Sequence, residues 1–198
     1  MSDDITGIKG VTIYGASSSL IDPIYIDAAR TIGRLLAQHG IPSITGGGRG
    51  GIMMAVIDGT LEEGGTTIGV LPGFMVEREW NHPALSRTIV TDTMHERKQT
   101  MASLSRGVIA MPGGVGTLDE LFEIITWRQL SLYTGNVVIC NINGFYDPLL
   151  SHLHHTADCG FMRQSAPARL WSVATNPEEA VAMALADPSD PGIQYHLP

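Results

Sequence analysis

Three short strand-like runs in this chain each stop at a glycine turn and lead into a helical pattern, and that repetition constrains the fold more than any other feature. The runs are Val11-Thr12-Ile13-Tyr14, Ser43-Ile44-Thr45 and Val108-Ile109-Ala110-Met111. The third is a continuous apolar run of the kind that a strand buried on both faces of a parallel sheet shows. The turns are Gly15-Ala16-Ser17-Ser18-Ser19, Gly46-Gly47-Gly48-Arg49-Gly50-Gly51 and Pro112-Gly113-Gly114-Val115-Gly116. Glycine permits the tight backbone that such a reversal needs, and proline stops a strand. A strand, a glycine turn and a helix together aim free backbone N–H groups and a positive helix end at one point, which suits phosphate. All three turns fall at strand carboxyl ends, where open parallel sheets place their ligands.

The remaining segments fit the same frame. Pro23 opens a helix with Ile26, Ala29, Ile32, Gly33, Leu36 and Ala37 on one face, closed by Gly40. A second helix runs from Ile52 to Leu61, and Thr66 to Leu71 is a third strand ended by Pro72-Gly73. Phe74 to Arg87 is irregular, the length of a lid, a binding loop or an oligomer contact. Thr88-Ile89-Val90 is a fourth strand, capped by Asp92 or Thr93 into a helix from Met94 to Ser105. Thr117 can cap the helix after the fifth strand, which runs on to about Leu132. Asn136 to Ile142, a helix from Asp147-Pro148 to near Gly160, Leu170 to Val173 and a last helix from Asn176-Pro177 complete the pattern. The expected fold is α/β: a single Rossmann-like doubly wound domain over residues 1–198, with about seven mostly parallel strands and helices on both faces. Asp187 onward reads as a tail.

Composition narrows the function classes. A chain of 198 residues with 43% hydrophobic and 16% charged residues is a globular protein rather than a disordered one. Its formal net charge of −8, with no Lys/Arg cluster, argues against nucleic acid or an anionic membrane as partner. No apolar run approaches a membrane span, Met1-Ser2-Asp3-Asp4 is no signal peptide, and Cys140 and Cys159 lack metal or redox spacing. These features predict a cytoplasmic protein with free thiols. The glycine spacing is not the dinucleotide fingerprint, and no acid closes the second strand, so a mononucleotide or another phosphate ester is favoured over a nicotinamide cofactor.

The helix from Met94 carries a sharper signal. Arg97 and Lys98 lie three and four residues from Met94 and share its expected buried stripe with Met101 and Leu104. Charges there must snorkel outward or meet an anionic partner. Arg97 suits a bidentate grip on phosphate or carboxylate, and Glu120, a turn into the helix after Gly116, is its natural counterpart. His152, His154 and His155 fit a solvated helix face better than a metal site, and Ser17 to Ser19 lack the nucleophile-elbow pattern. Trp80 and Trp127 could stack on a base, although packing is the commoner fate of tryptophan.

Two motifs in this order carry a resemblance. Met94-His95-Glu96-Arg97-Lys98 followed by Pro112-Gly113-Gly114-Val115-Gly116-Thr117-Leu118-Asp119-Glu120 resembles the Lonely Guy (LOG) family, whose hallmark is P-G-G-x-G-T-x-x-E. Val76-Glu77-Arg78-Glu79, Ile125 to Leu130 and Gly144 to Pro148 are similar to the family too, so the likeness covers most of the chain from Val11 to about Leu153. The family comprises cytokinin riboside 5′-monophosphate phosphoribohydrolases, also called lysine decarboxylases in older naming, although nothing in the sequence argues for pyridoxal chemistry.

The resemblance implies hydrolysis of the N-glycosidic bond of an N6-modified adenosine 5′-monophosphate to free base and ribose 5-phosphate, with no cofactor and no metal. It places the catalytic pair on Arg97 and Glu120. Substrate contacts fall on Ser17, Gly47, Glu79, Lys98, Gly113, Gly114, Val115, Gly116, Thr117, Leu118, Asp119 and Thr126. It also implies a homodimer or larger homo-oligomer. A general nucleoside 5′-monophosphate nucleosidase and a non-catalytic nucleotide or cofactor carrier on the same scaffold are the rival readings. Departures from the family pattern are Ser19-Leu20 in the first turn, Arg49 and Met54 around the second, Arg128, and Tyr133-Thr134-Gly135-Asn136.

Overall fold

A computed structural model of the protein describes residues 7–188. Its frame is a seven-stranded, all-parallel sheet in the order β4-β3-β2-β1-β5-β6-β7. The strands are β1 (Gly10–Tyr14), β2 (Ser43–Thr45), β3 (Thr67–Pro72), β4 (Arg87–Thr91), β5 (Ser105–Ala110), β6 (Asn136–Cys140) and β7 (Ser172–Ala174). The helices are α1 (Pro23–Gln38), α2 (Gly51–Glu62), α3 (Gly73–Glu77), α4 (Met94–Ser103), α5 (Val115–Gln129), α6 (Asp147–Asp158), α7 (Ala166–Leu170) and α8 (Pro177–Leu185). β1 pairs with both β2 and β5, so the strand order reverses direction there. That reversal opens a crevice at the carboxyl ends of β1, β2 and β5.

The two faces of the sheet follow from side-chain alternation along the strands. Val11, Ile13, Ile109 and Met111 point into one apolar layer, packed with Ala29, Ile32, Leu36, Val56 and Ala180 of α1, α2 and α8. Tyr14, Val108 and Ala110 point into the other, with Met101, Leu121, Ile124, Leu153 and Leu170 of α4 to α7. Asp22 caps α1, Thr93 caps α4 and Asn176 caps α8 through side-chain bonds to early helical N–H groups. Among the described residues no helix is long and apolar enough to cross a membrane.

Several local expectations are corrected. The segment from Phe74 is not wholly irregular, because Gly73–Glu77 closes a short helix, α3, straight after Pro72. Helix α7 has no signature in the sequence, because five residues show no periodicity, and it is held by burial of Ala166 and Leu170. β7 lies at Ser172–Ala174, later than Leu170 to Val173. β6 ends at Cys140, where Ile142–Gly144 takes up a 3-10 turn. Thr117 does not cap α5, whose N-cap is Gly114; Thr117 is buried in the first turn. Met94 is 39% exposed and leaves the stripe to Arg97, Lys98 and Met101. The predicted tail lies outside the described residues from residue 189 onward, as do residues 1–6.

α1 and α2 approach closely enough to exclude a side chain at their crossing. A methyl placed on Gly59 would sit 2.1 Å from the Arg30 carbonyl oxygen, and one on Gly33 would sit 2.2 Å from that of Val56. Backbone cannot yield as a side chain does, so Gly59→Ala is expected to destabilise the protein by about 1–3 kcal/mol. Denaturant unfolding checks this, and an unchanged midpoint would show that the crossing is looser than described.

Candidate active site

The three glycine turns meet in one place. Ala16 N–H donates to Pro112 O (3.1 Å), Ile52 N–H to Ala16 O (2.8 Å) and Met111 N–H to Tyr14 O (2.8 Å). The buried Tyr146 hydroxyl donates to Met111 O at 2.7 Å and fixes the end of β5. Between the turns lies a cavity of about 700 Å³, of the size that holds small-molecule ligands. Its walls come from the first turn (Gly15 to Ser17), the second (Gly46, Gly48 to Gly50), the start of α5 (Gly114 to Thr117), and Arg97 and Glu120.

Arg97 enters this cavity from α4 and is almost wholly buried. Its Nε–H donates to Val70 O (3.0 Å) at the end of β3, and its Nη1–H donates to Glu120 Oε1 (3.0 Å). Side-chain exposures of 9% and 12% make Arg97 and Glu120 a buried ion pair rather than a surface one. The guanidinium fits because residue 46 is glycine: a methyl there would lie 2.0 Å from Arg97 Nη2. Burial raises the Glu120 carboxyl above its ordinary value, against the lowering pull of Arg97. Tyr14, beneath the pair, is raised well above the ordinary phenol value by burial and then by the Glu120 charge, so it stays protonated.

The next residue, Lys98, turns the other way. Its ammonium donates to Asp119 Oδ2 (3.0 Å) and pairs with Glu123 Oε2 (3.2 Å), clamping α4 to α5. Burial works to lower its pKa, but the hydrogen bonds to Asp119 and Glu123 prevail and raise it. Lys98 is therefore a charged clamp, and it is not among the described residues that line the cavity.

Of the residues expected to touch substrate, Ser17, Gly114, Val115, Gly116 and Thr117 line the cavity with Arg97 and Glu120. Gly47, Glu79, Lys98, Gly113, Leu118, Asp119 and Thr126 stand outside that lining. Gly47 faces Leu71, the space beside Gly113 is filled by Thr117, and Leu118 packs on the core. Asp119 serves Lys98, and the exposed Thr126 hydroxyl bonds to Phe122 O of its own helix. Glu79 is exposed, with left-handed backbone (φ 55°), next to Trp80. The lining adds Ile13, Tyr14, Arg49, Met53, Leu71, Met75 and Trp80, which motif reading did not assign to the site. Trp80 has a signal in the sequence, as a tryptophan in the Phe74–Arg87 segment that could stack on a base; Arg49 has one as a charge inside a glycine turn.

A family described as possible lysine decarboxylase matches residues 53–184. The chain is 37% identical over 163 residues to the cytokinin riboside 5′-monophosphate phosphoribohydrolase of Rhodococcoides fascians, covering 82% of each chain. It is 32% identical over 178 residues to the phosphoribohydrolase LOG2 of Arabidopsis thaliana, covering 90% of this chain and 84% of that one. The chain belongs to the LOG family. Its fold is shared more widely: the Moco carrier protein of Chlamydomonas reinhardtii superposes with a TM-score of 0.68 at 25% identity, covering 88% of this chain and 93% of that one. The LOG motif residues Arg97 and Glu120 are the two that meet inside the cavity.

Gly46→Ala tests how that pair is held. The new methyl displaces the end of a flexible side chain rather than backbone, so the fold persists while Arg97 swings away from Glu120. Carbon-13 NMR of the Glu120 carboxyl should then report a pKa raised further, because burial remains and the lowering partner is gone. An unchanged titration would show that Gly46 does not seat the guanidinium.

Proposed function

We propose that the protein hydrolyses the N-glycosidic bond of N6-modified adenosine 5′-monophosphates, releasing the free base and ribose 5-phosphate. One observation carries this reading: a buried carboxylate, Glu120, is held by Arg97 against a cavity that also contains the amino end of a long helix. The N–H groups at the start of α5 and its positive end suit the 5′-phosphate. The ribose then lies within reach of Glu120. As the C1′–N bond breaks, its electrons leave with the base and positive charge builds on the sugar. An ionised Glu120 stabilises that charge and takes one proton from the attacking water, which balances the proton that the departing base takes up from solvent to leave as the neutral free base. Arg97 opposes the effect of burial on the acid and aims it.

The relatives named as phosphoribohydrolases support the substrate class, since they match this chain over most of their length. Trp80 and Met75, at the wall of the cavity, give the base an apolar and aromatic surface. Assembly as a homodimer is the finer part of the proposal, supported by the exposed apolar side chains of Val90, Met94, Phe122 and Leu132. Two cysteines without metal or redox spacing support a cytoplasmic setting. The fold match to Moco carrier proteins makes non-catalytic binding the second reading, but a carrier has no use for a buried acid beside the ribose position.

Incubation with AMP and with N6-isopentenyl-AMP, followed by assay of free base, separates these readings. Release from the isopentenyl nucleotide alone, or well above AMP, is the expected result. Equal release identifies a general nucleosidase, and no release from either identifies a carrier. Glu120→Gln should lower kcat by at least about a hundred-fold if the acid carries the chemistry.

A further inference from the structure

The cavity lining carries three charged side chains, Arg97, Glu120 and Arg49. The first two neutralise each other, and Arg97 commits Nε and Nη1 to Val70 and Glu120. Lys98 is tied to Asp119 and Glu123. A phosphate monoester brings about 1.5 to 2 negative charges at neutral pH. Arg49 is the lining cation whose guanidinium has no hydrogen bond or ion pair to another described residue.

Arg49 also stands on a fixed support. Its own N–H donates to Trp80 O (3.2 Å), and His82 N–H donates to Gly47 O (2.7 Å). Gly51 N–H donates to Ser19 Oγ (3.2 Å). The turn is thus tied to the Phe74–Arg87 segment on one side and to the first turn on the other. β2 and β5 flank β1, so the second turn and the start of α5 lie about two strand spacings apart, roughly 10 Å. A phosphate seated on the α5 amides lies in that gap.

We propose that Arg49 grips the 5′-phosphate from the side opposite α5, and so selects nucleotides over nucleosides. This deepens the reading of the site as a nucleoside 5′-monophosphate site and rests on it. α5 supplies neutral N–H donors and partial charge, whereas Arg49 supplies the full positive charge that Arg97 has already spent on Glu120. Because the Arg49 side chain is exposed and bonds to no other described residue, and alanine keeps the backbone N–H that meets Trp80, Arg49→Ala leaves the fold intact.

The test is calorimetric binding of the non-hydrolysable carbocyclic analogues of N6-isopentenyl-AMP and of N6-isopentenyladenosine to the wild-type protein and to Arg49→Ala, which keeps the Arg97–Glu120 pair intact, with steady-state kinetics of Arg49→Ala on N6-isopentenyl-AMP. Arg49→Ala should raise the nucleotide Kd roughly ten-fold and leave the nucleoside within about two-fold, with Arg49→Lys between. The kinetic counterpart is a raised KM with kcat retained. Nucleotide affinity unchanged, or both ligands weakened equally, overturns the assignment. A protein that binds the nucleotide with this Arg49 dependence but cleaves nothing refutes the hydrolase reading alone. One that cleaves it equally well without Arg49 refutes the Arg49 assignment alone, and one that binds no nucleotide refutes both.

Discussion

A guanidinium and a carboxylate buried together are the constraint on which the rest of this site depends. Moving either charge out of water costs several kcal/mol, and their attraction offsets that only with good geometry and further hydrogen bonds. Here the geometry is supplied from three directions: α4 presents Arg97, α5 presents Glu120, and Val70 O at the end of β3 takes the guanidinium Nε–H. Gly46 leaves the room in which the pair meets. Such a pair adds little to folding stability compared with apolar residues of the same volume, which makes function the better explanation for its presence. Burial and Arg97 act on Glu120 in opposite senses, and burial prevails, so the acid stays a stronger proton acceptor than a surface glutamate.

The fold places that pair by its strand order. With β1 central and β2 and β5 on either side, three glycine turns converge at one edge. The hydrogen bonds among them make the cavity wall one connected piece of backbone. Lys98 adds a second clamp one residue along, pairing with Asp119 and Glu123 so that α4 and α5 keep a fixed register. Neighbouring residues on one helix thus divide the labour: Arg97 faces the cavity and Lys98 faces the scaffold.

Much of this was legible in the sequence because period and punctuation are local signals. Short runs with β-branched or apolar residues that end in Gly46-Gly47-Gly48 or Pro112-Gly113-Gly114 specify strand and turn without knowledge of the partner strands. Arg97 facing Glu120 was legible as well, since a charge on an apolar stripe demands a partner. What pattern reading could not supply was direction at single residues. Arg97 and Lys98 look equivalent in sequence, yet only tertiary packing sends one to Glu120 and the other to Asp119 and Glu123. Thr117 has the identity of a cap, but it is buried and Gly114 takes that place. Arg128 reads as an odd replacement until its guanidinium is seen donating to the carbonyls of Thr134, Gly135 and Arg169, which joins α5 to α7. Arg49 reads as an irregular charge until the second turn is folded onto the cavity.

The claim at the centre of this account is that Glu120 acts as an ionised carboxylate whose pKa is raised by burial. The pH dependence of kcat/KM with N6-isopentenyl-AMP tests it most directly. Activity should rise with pH through an acid limb lying above the ordinary carboxylate range, because protonation of Glu120 removes the base. That limb should vanish in the residual activity of Glu120→Gln. An acid limb at or below the ordinary carboxylate value, or one that survives unchanged in the glutamine variant, would contradict the account.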